Sequence, residues 1–266
     1  MRYSLLLLLT AFLLTACGES AERSEAQADD AVPASRAEAD QDDMVESEVM
    51  IHPVYHGSLV LMHAGKTIYV DPHGGAQRYR AYGAPDLVLI THTHGDHMDT
   101  ATLNGLDLSG AELVAPAAVT EALGEDMFTQ SHTLANGDSY PWQGINLTAV
   151  PAYNPPPKEN FHPQGQFNGY VLDFGDERFY VSGDTEGVPA MRDLDDIQVA
   201  FVCMNLPYTM DINQAADAVL AFEPTVVYPY HYRNQDGSFS DVEEFKRVVT
   251  AANDGVEVRL EDWYGE

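Results

Sequence analysis

His92-Thr93-His94-Gly95-Asp96-His97 puts three imidazoles and a carboxylate into one short run, just after the apolar stretch Asp86-Leu87-Val88-Leu89-Ile90. A compact apolar run of this length reads as a buried strand. Histidine is not a favoured core residue, whereas neutral imidazoles and carboxylates are the usual ligands of zinc and similar cations. If the chain leaves the strand extended, alternation projects His92 and His94 to one side. Gly95 then permits a sharp turn that carries Asp96 and His97 toward a neighbouring position. One run can thereby serve two metal positions.

Outward from this run, short apolar segments alternate with turns. Residues 50–56, 58–63 and 67–71 read as a meander with Ala64-Gly65-Lys66 as one of its turns. Asp99, ahead of Thr100-Ala101-Thr102-Leu103, reads as a helix cap rather than a catalytic group. Further strands are expected over 112–115, 145–151, 170–174, 178–182, 199–204, 225–229 and 256–260, with helices over 116–123, 213–222 and 241–252. That mixture predicts two sheets with helices on their outer faces. Cys203 lies within Val199-Ala200-Phe201-Val202-Cys203-Met204 and reads as a buried strand thiol, not a nucleophile.

The chain of 266 residues carries 42 acids against 13 bases, a net charge of -29. Residues 18–48 hold eleven acids and two bases with few large apolar side chains, the composition of a disordered tether. The body beyond it is acidic as well, and such a surface repels phosphate backbones and anionic membranes. Nucleic acid is therefore excluded as a partner, and a small molecule is the expected substrate.

The first residues read as a targeting segment. Arg2 precedes the leucine-rich run Leu5 to Leu14, which is too short for a membrane span. The run ends Leu14-Thr15-Ala16-Cys17, which resembles the lipobox of bacterial lipoproteins. That resemblance implies acylation of Cys17 and anchoring to a membrane, and Gly18 after the Cys implies an outer-membrane address facing the periplasm. The expected organisation is a signal peptide at 1–16, an acidic tether at 17–48 and a single folded domain at 49–266. With Cys17 lipidated, Cys203 has no intrachain partner, so stability must come from packing and metal.

The HxHxDH pattern after an apolar strand resembles the metallo-beta-lactamase superfamily, and the later segments look like its branch of ascorbate-6-phosphate lactonases and related metal-dependent hydrolases. The supporting runs are Ile68-Tyr69-Val70-Asp71-Pro72, Phe179-Tyr180-Val181-Ser182-Gly183-Asp184-Thr185 and Tyr228-Pro229-Tyr230-His231-Tyr232. The resemblance implies a four-layer αββα sandwich of class α/β (α+β), with metals at one edge of the sheets. Alone, Asp184 reads as a turn-capping residue and His231 as a hydrogen-bonded strand-end histidine. The resemblance assigns His92 and His94 to a first divalent ion, Asp96, His97 and His231 to a second, and Asp184 as the bridge. Zinc is expected, with Mn or Fe as alternatives. The pattern is broken in Val150-Pro151-Ala152-Tyr153-Asn154-Pro155, where Asn154 stands in place of the third histidine of the first site. An amide oxygen is the weaker ligand. His162, in the same loop, is a candidate to complete that site, to contact substrate or to protonate a leaving group.

The implied mechanism is attack by a metal-activated hydroxide on a carbonyl or phosphoryl centre, with Asp96 orienting it. No Gly-x-Ser-x-Gly elbow is present. Residues 154–167 and 204–210 are rich in Pro, Tyr, Phe and Met and are expected to line a partly apolar pocket. With no Lys or Arg cluster for phosphate, an uncharged ester or lactone is expected ahead of a phosphodiester. The rival from another class is a non-enzymatic metal-binding lipoprotein that keeps the fold but has lost catalysis through Asn154.

Overall fold

In this computed structural model the described residues are 48–124 and 126–265. The leader, Cys17 and nearly all of the acidic tether lie outside them. Two sheets face one another. The first opens with the antiparallel meander β1 (Met50–Tyr55), β2 (Ser58–His63) and β3 (Lys66–Val70), then continues in parallel through β4 (Leu87–Leu89), β5 (Glu112–Ala115) and β6 (Gln130–Thr133). In the second, β7 (Ser139–Trp142), β8 (Ile145–Ala152), β9 (Phe167–Asp173) and β10 (Arg178–Val181) are antiparallel neighbours. β11 (Val199–Cys203), β12 (Val226–Tyr230) and β13 (Glu257–Val258) extend it in parallel.

Strand alternation explains the layers. Leu87 and Leu89 of β4 and Ile68 and Val70 of β3 join the main core, which also holds Leu147, Ala149 and Leu172 of the opposing sheet. Their neighbours Val88, Ile90 and Tyr69 point to the outer face, against Leu103 of α1 (Thr100–Gly105) and Val119 of α2 (Ala117–Leu123). Both faces of β4 are therefore buried, which is why it reads as a continuous apolar run. α3 (Pro189–Arg192), α4 (Ile212–Phe222) and α5 (Val242–Ala252) follow the strands of the second sheet, and Val219 and Phe245 enter its core. The arrangement is the αββα sandwich. Asp99 caps α1, accepting from the backbone N–H groups of Ala101 and Thr102. Among the described residues no helix is long and apolar enough to cross a membrane.

Two strands escape the hydrophobic pattern. β6, Gln130-Ser131-His132-Thr133, and β7, Ser139-Tyr140-Pro141-Trp142, are sheet edges, where polar side chains and a proline are tolerated because one side of the strand needs no partner. β9 begins at Phe167, earlier than expected, and the last strand shrinks to Glu257–Val258.

The C-terminal ends of β1, β3, β4, β8, β10 and β12 gather at one edge of the sandwich, where hydrogen bonds cross between the sheets. Asn168 N–H donates to Thr91 O at 3.1 Å, Tyr170 Oη to Ile90 O at 3.0 Å, and His231 N–H to His56 O at 3.1 Å. Within the second sheet, the close approach of β9 to the end of β10 depends on Gly169, whose missing Cβ would lie 2.7 Å from the carbonyl oxygens of both Val181 and Ser182. Since backbone cannot yield as a side chain does, Gly169→Ala should destabilise the fold by about 1–3 kcal/mol. Chemical denaturation of the purified domain checks this, and an unchanged midpoint would count against the close packing.

Candidate metal centre

His92, His94, His162 and Asp184 present ligand atoms within 4.8 Å of one another, as do His97, Asp184 and His231, and also His56, Asp96 and His231. Asp184 joins two of these sets. Its Oδ1 lies 3.4 Å from Nε2 of both His97 and His231, and its Oδ2 lies 3.4 Å from Nε2 of His162. The candidate metal and catalytic residues singled out from the sequence, Asp96 and His162 included, are thus brought to one locus from four separate parts of the chain, the His92–His97 loop, His162, Asp184 and His231, and the β1–β2 turn adds His56.

The loop after β4 is held by a carboxylate that sequence reading passed over. Asp71, fully buried at the end of β3, accepts from Thr91 N–H at 2.7 Å, Thr91 Oγ1 at 2.6 Å and His97 Nδ1 at 2.7 Å. His97 therefore keeps a proton on Nδ1 and turns Nε2 toward Asp184. Burial opposes charge on the ring, but Asp184 and Asp71 raise its pKa well above the ordinary value, so Nε2 offers a lone pair only when a cation displaces its proton. Thr91 Oγ1, having donated to Asp71, accepts from His92 Nδ1 at 2.9 Å and leaves Nε2 of His92 as the lone-pair nitrogen. That atom lies 3.0 Å from Nδ1 of His94, an approach that needs a shared proton or a cation between the rings. Gly57 lets the β1–β2 turn come this close, since a Cβ there would sit 3.0 Å from His97 Cε1 and 3.1 Å from His231 Cδ2.

Asn154 is not a first-rank donor to the site but a prop behind one. Its Nδ2 donates to Tyr208 O at 2.6 Å, which directs Oδ1 to accept from His162 Nδ1 at 2.8 Å. His162 is fully buried and turns Nε2 toward Asp184. Position 154 holds no histidine, but the ring of His162, eight residues later, stands with His92, His94 and Asp184.

His56 was also missed. It ends β1 in the left-handed region, at φ 59, as Asp71 and His231 do at 45 and 48. Three strained backbones in one locus are typical of sites whose geometry is held by the surrounding fold. Tyr264 Oη accepts from Arg233 N–H at 3.1 Å and so has its own proton for His56 Nδ1 at 2.8 Å. The proton of the neutral His56 ring is then on Nε2, where it donates to Asp96 Oδ2 at 3.2 Å. Burial and the neighbouring His231 push His56 down to about 4, in keeping with a neutral ring. With Nε2 protonated, His56 positions Asp96 and is not itself a ligand. The sequence signal was slight: a histidine before a glycine at a strand end.

The electrostatics are those of a pocket built around positive charge. Burial, then His97, drives His92 well below its ordinary value, and burial, then His162, lowers His94. Burial opposes ionisation of Asp184, but His231 and His97 hold it well below the carboxylate range. Burial opposes ionisation of Asp96 too, yet His97, His231 at 3.4 Å and the hydrogen bond from His56 keep it low. The Cys203 thiol is pushed up to about 12 by burial, so no thiolate competes as a nucleophile.

The test of fit lies in the polar atoms left over. Nε2 of His97, Nε2 of His162, Oδ1 of Asp184 and both ring nitrogens of His231 are buried without a hydrogen-bond partner. Each such atom costs about 1–3 kcal/mol. Imidazole lone pairs converging on a shared carboxylate are what divalent cations satisfy, and the donor set fits them.

A cavity of about 400 Å³ opens onto the cluster, lined by His94, Asp96, Asp184, Phe161, Asn205 and Tyr208 among others. The loops expected to line it do so, and Lys158 ties them together through Glu186 at 2.7 Å and Thr209 O at 2.8 Å.

Comparison with known proteins agrees with this geometry. Residues 51–231 match the family described as beta-lactamase superfamily domain. The chain is similar to a UPF0173 metal-dependent hydrolase of Thermoplasma acidophilum, with 32% identity over 62% of this chain and 73% of that one. A second, of Pyrococcus horikoshii, is 28% identical over 77% and 92%. Among solved structures, a Parabacteroides distasonis protein superposes with TM-score 0.73 at 36% identity, covering 82% of this chain and 94% of that one. A metallo hydrolase of Ignicoccus hospitalis superposes with TM-score 0.68 at 25% identity, covering 82% and 96%.

Asp71→Asn removes the acceptor that fixes the tautomer of His97. Loss of such an outer partner typically costs roughly 10–100-fold in metal affinity. Competition with a chelator should read that fall in Asp71→Asn, and an affinity equal to that of the native protein would contradict the role.

Proposed function

Because this chain belongs to the beta-lactamase superfamily, we propose that it is a hydrolase working with two divalent metal ions, zinc first among the candidates, on an ester, lactone or phosphodiester. The observation that carries the reading is the convergence of buried, unpartnered Nε2 and carboxylate atoms around Asp184. His92, His94 and His162 would hold one ion, Asp96, His97 and His231 the other, and Asp184 both. When bound, such ions lower the pKa of water and polarise a carbonyl or phosphoryl oxygen.

The chain's own residues do the rest. Asp96 Oδ2 accepts from His56 and faces His231 at 3.4 Å, which leaves Oδ1 without a protein donor among the described residues and able to orient the attacking water by accepting its hydrogen bond. His56, locked by Tyr264, keeps that carboxylate in register. His162 is better suited to ligation than to protonating a leaving group, since Asn154 occupies one ring nitrogen and the other is buried toward Asp184. This removes the reason for preferring a non-enzymatic binder, which rested on Asn154 as a lost ligand. A mixed imidazole and carboxylate set suits zinc and also accepts iron or manganese.

Metal analysis of the purified protein, coupled to hydrolysis of a panel of lactones, phosphodiesters and beta-lactams, tests the proposal. Two tightly held equivalents and turnover of at least one class are expected. His97→Ala should abolish turnover with an unchanged circular dichroism spectrum, and full activity in that variant would sink the scheme.

We also propose that the protein is exported and tethered by acylated Cys17, on the strength of Leu14-Thr15-Ala16-Cys17 after a short apolar run. Cys17→Ser should move it from the membrane fraction to the soluble one; a distribution that does not change would refute the anchor.

A further inference from the structure

Arg233 is the one Lys or Arg among the described residues lining the cavity over the metal centre. In a chain with 42 acids to 13 bases, most described cations have a carboxylate at hand: Lys66, Lys158, Arg178, Arg192, Arg247 and Arg259 each pair with an Asp or Glu. Arg233 does not. Its guanidinium lies 5.3 Å from the ring centroid of Tyr264 and 5.7 Å from that of Tyr55, and Nη1 donates to Tyr55 Oη at 3.3 Å. A guanidinium offers five N–H donors, and the others have no acceptor among the described residues.

Aromatic faces hold a guanidinium by their quadrupole without cancelling its charge. A carboxylate in their place would neutralise it. Arg78 also lies over the Tyr55 ring, 4.1 Å from its centroid. The backbone of Arg233 is fixed as well, since its N–H donates to Tyr264 Oη and its residue bridges to Phe239. On the same cavity Asn205 has its amide orientation set by Thr209 Oγ1, which donates to Oδ1, and its Nδ2 has no acceptor among the described residues. A planar fork of free donors with a free amide on the same cavity matches the geometry of a carboxylate or phosphate group.

From this arrangement we infer that the substrate carries an oxyanion substituent, held by Arg233 with Asn205 beside it while the scissile bond lies against the histidine and aspartate cluster. The inference rests on the hydrolase reading above and replaces the expected uncharged ester with a charged one. A cluster of cations, whose absence had suggested neutrality, is unnecessary when one guanidinium is kept free of acids.

Titration of the zinc-loaded full chain with succinate, glutarate and adipate, each against its monomethyl ester, tests the inference by calorimetry. One carboxylate is available to the metal in both members of a pair, so the second reports on Arg233. At one chain length or more the diacid should bind at least about tenfold tighter, the scale of a charge-assisted hydrogen bond. In Arg233→Met the ratio should fall to about twofold, the statistical value for two equivalent ends, and Arg233→Lys should restore part of it. 3-Phosphonopropionate against succinate distinguishes a phosphate-reading from a carboxylate-reading pocket. A native protein without preference, or an Arg233→Met variant that keeps the preference together with its metal, would overturn the subsite. Elemental analysis run alongside separates the two claims: a native protein that holds none of zinc, iron and manganese refutes the hydrolase reading, whereas a diacid preference that still depends on Arg233 upholds the subsite by itself.

Discussion

Buried imidazole nitrogens and carboxylate oxygens cannot be left facing one another without a partner, and in this protein they are arranged to do so. Asp184 stands between His97, His162 and His231 at distances too long for good hydrogen bonds and too short for indifference. In water each of these atoms would be solvated; in the sandwich edge they are not, and the cost of several such atoms rivals the net stability of a domain. Multivalent positive charge is the physical remedy. The left-handed backbones at His56, Asp71 and His231 and the glycine at 57 make sense as consequences of bringing those donors together.

Around the donors lies a shell of neutral and anionic groups whose work is orientation. Asp71 and Thr91 decide which nitrogens of His97 and His92 carry protons, Asn154 does the same for His162, and Tyr264 does it for His56. Each of these partners uses a hydrogen bond already committed elsewhere to select one tautomer of its histidine. Asn154 shows why residue-by-residue matching can mislead. Its amide oxygen is spent on His162, whose ring stands with His92, His94 and Asp184 although the expected position holds no histidine.

The same economy of partners governs charge. The body of the protein is acidic, so a guanidinium that escapes pairing does so because tyrosines occupy the places where acids would otherwise sit. Arg233 between Tyr55 and Tyr264 keeps its charge available at the mouth of a site whose own carboxylates are neutralised from within. Hydrogen bonding links the two features, for Tyr264 touches both the Arg233 backbone and His56, and His56 touches Asp96.

Two sheets with helices on their outer faces and the His92–His97 run were legible in the residues themselves, because a buried strand must be apolar on both faces and because three histidines in so short a span have few uses other than binding a cation, while the αββα order came with the family resemblance. The edge strands β6 and β7 were not legible, since an unpaired edge imposes no hydrophobic period. Asp71 lay in a run already noticed, yet nothing in a linear order says that the end of β3 abuts the end of β4. Only the parallel register decides that. Likewise the partnership of Asn154 with His162, the return of His56 to Asp96 and the freedom of Arg233 depend on which atoms meet across long separations in the chain. Local composition dictates periodicity and ligand type; the choice of tautomer, prop and counter-charge belongs to contacts that exist only once the two sheets have closed on each other.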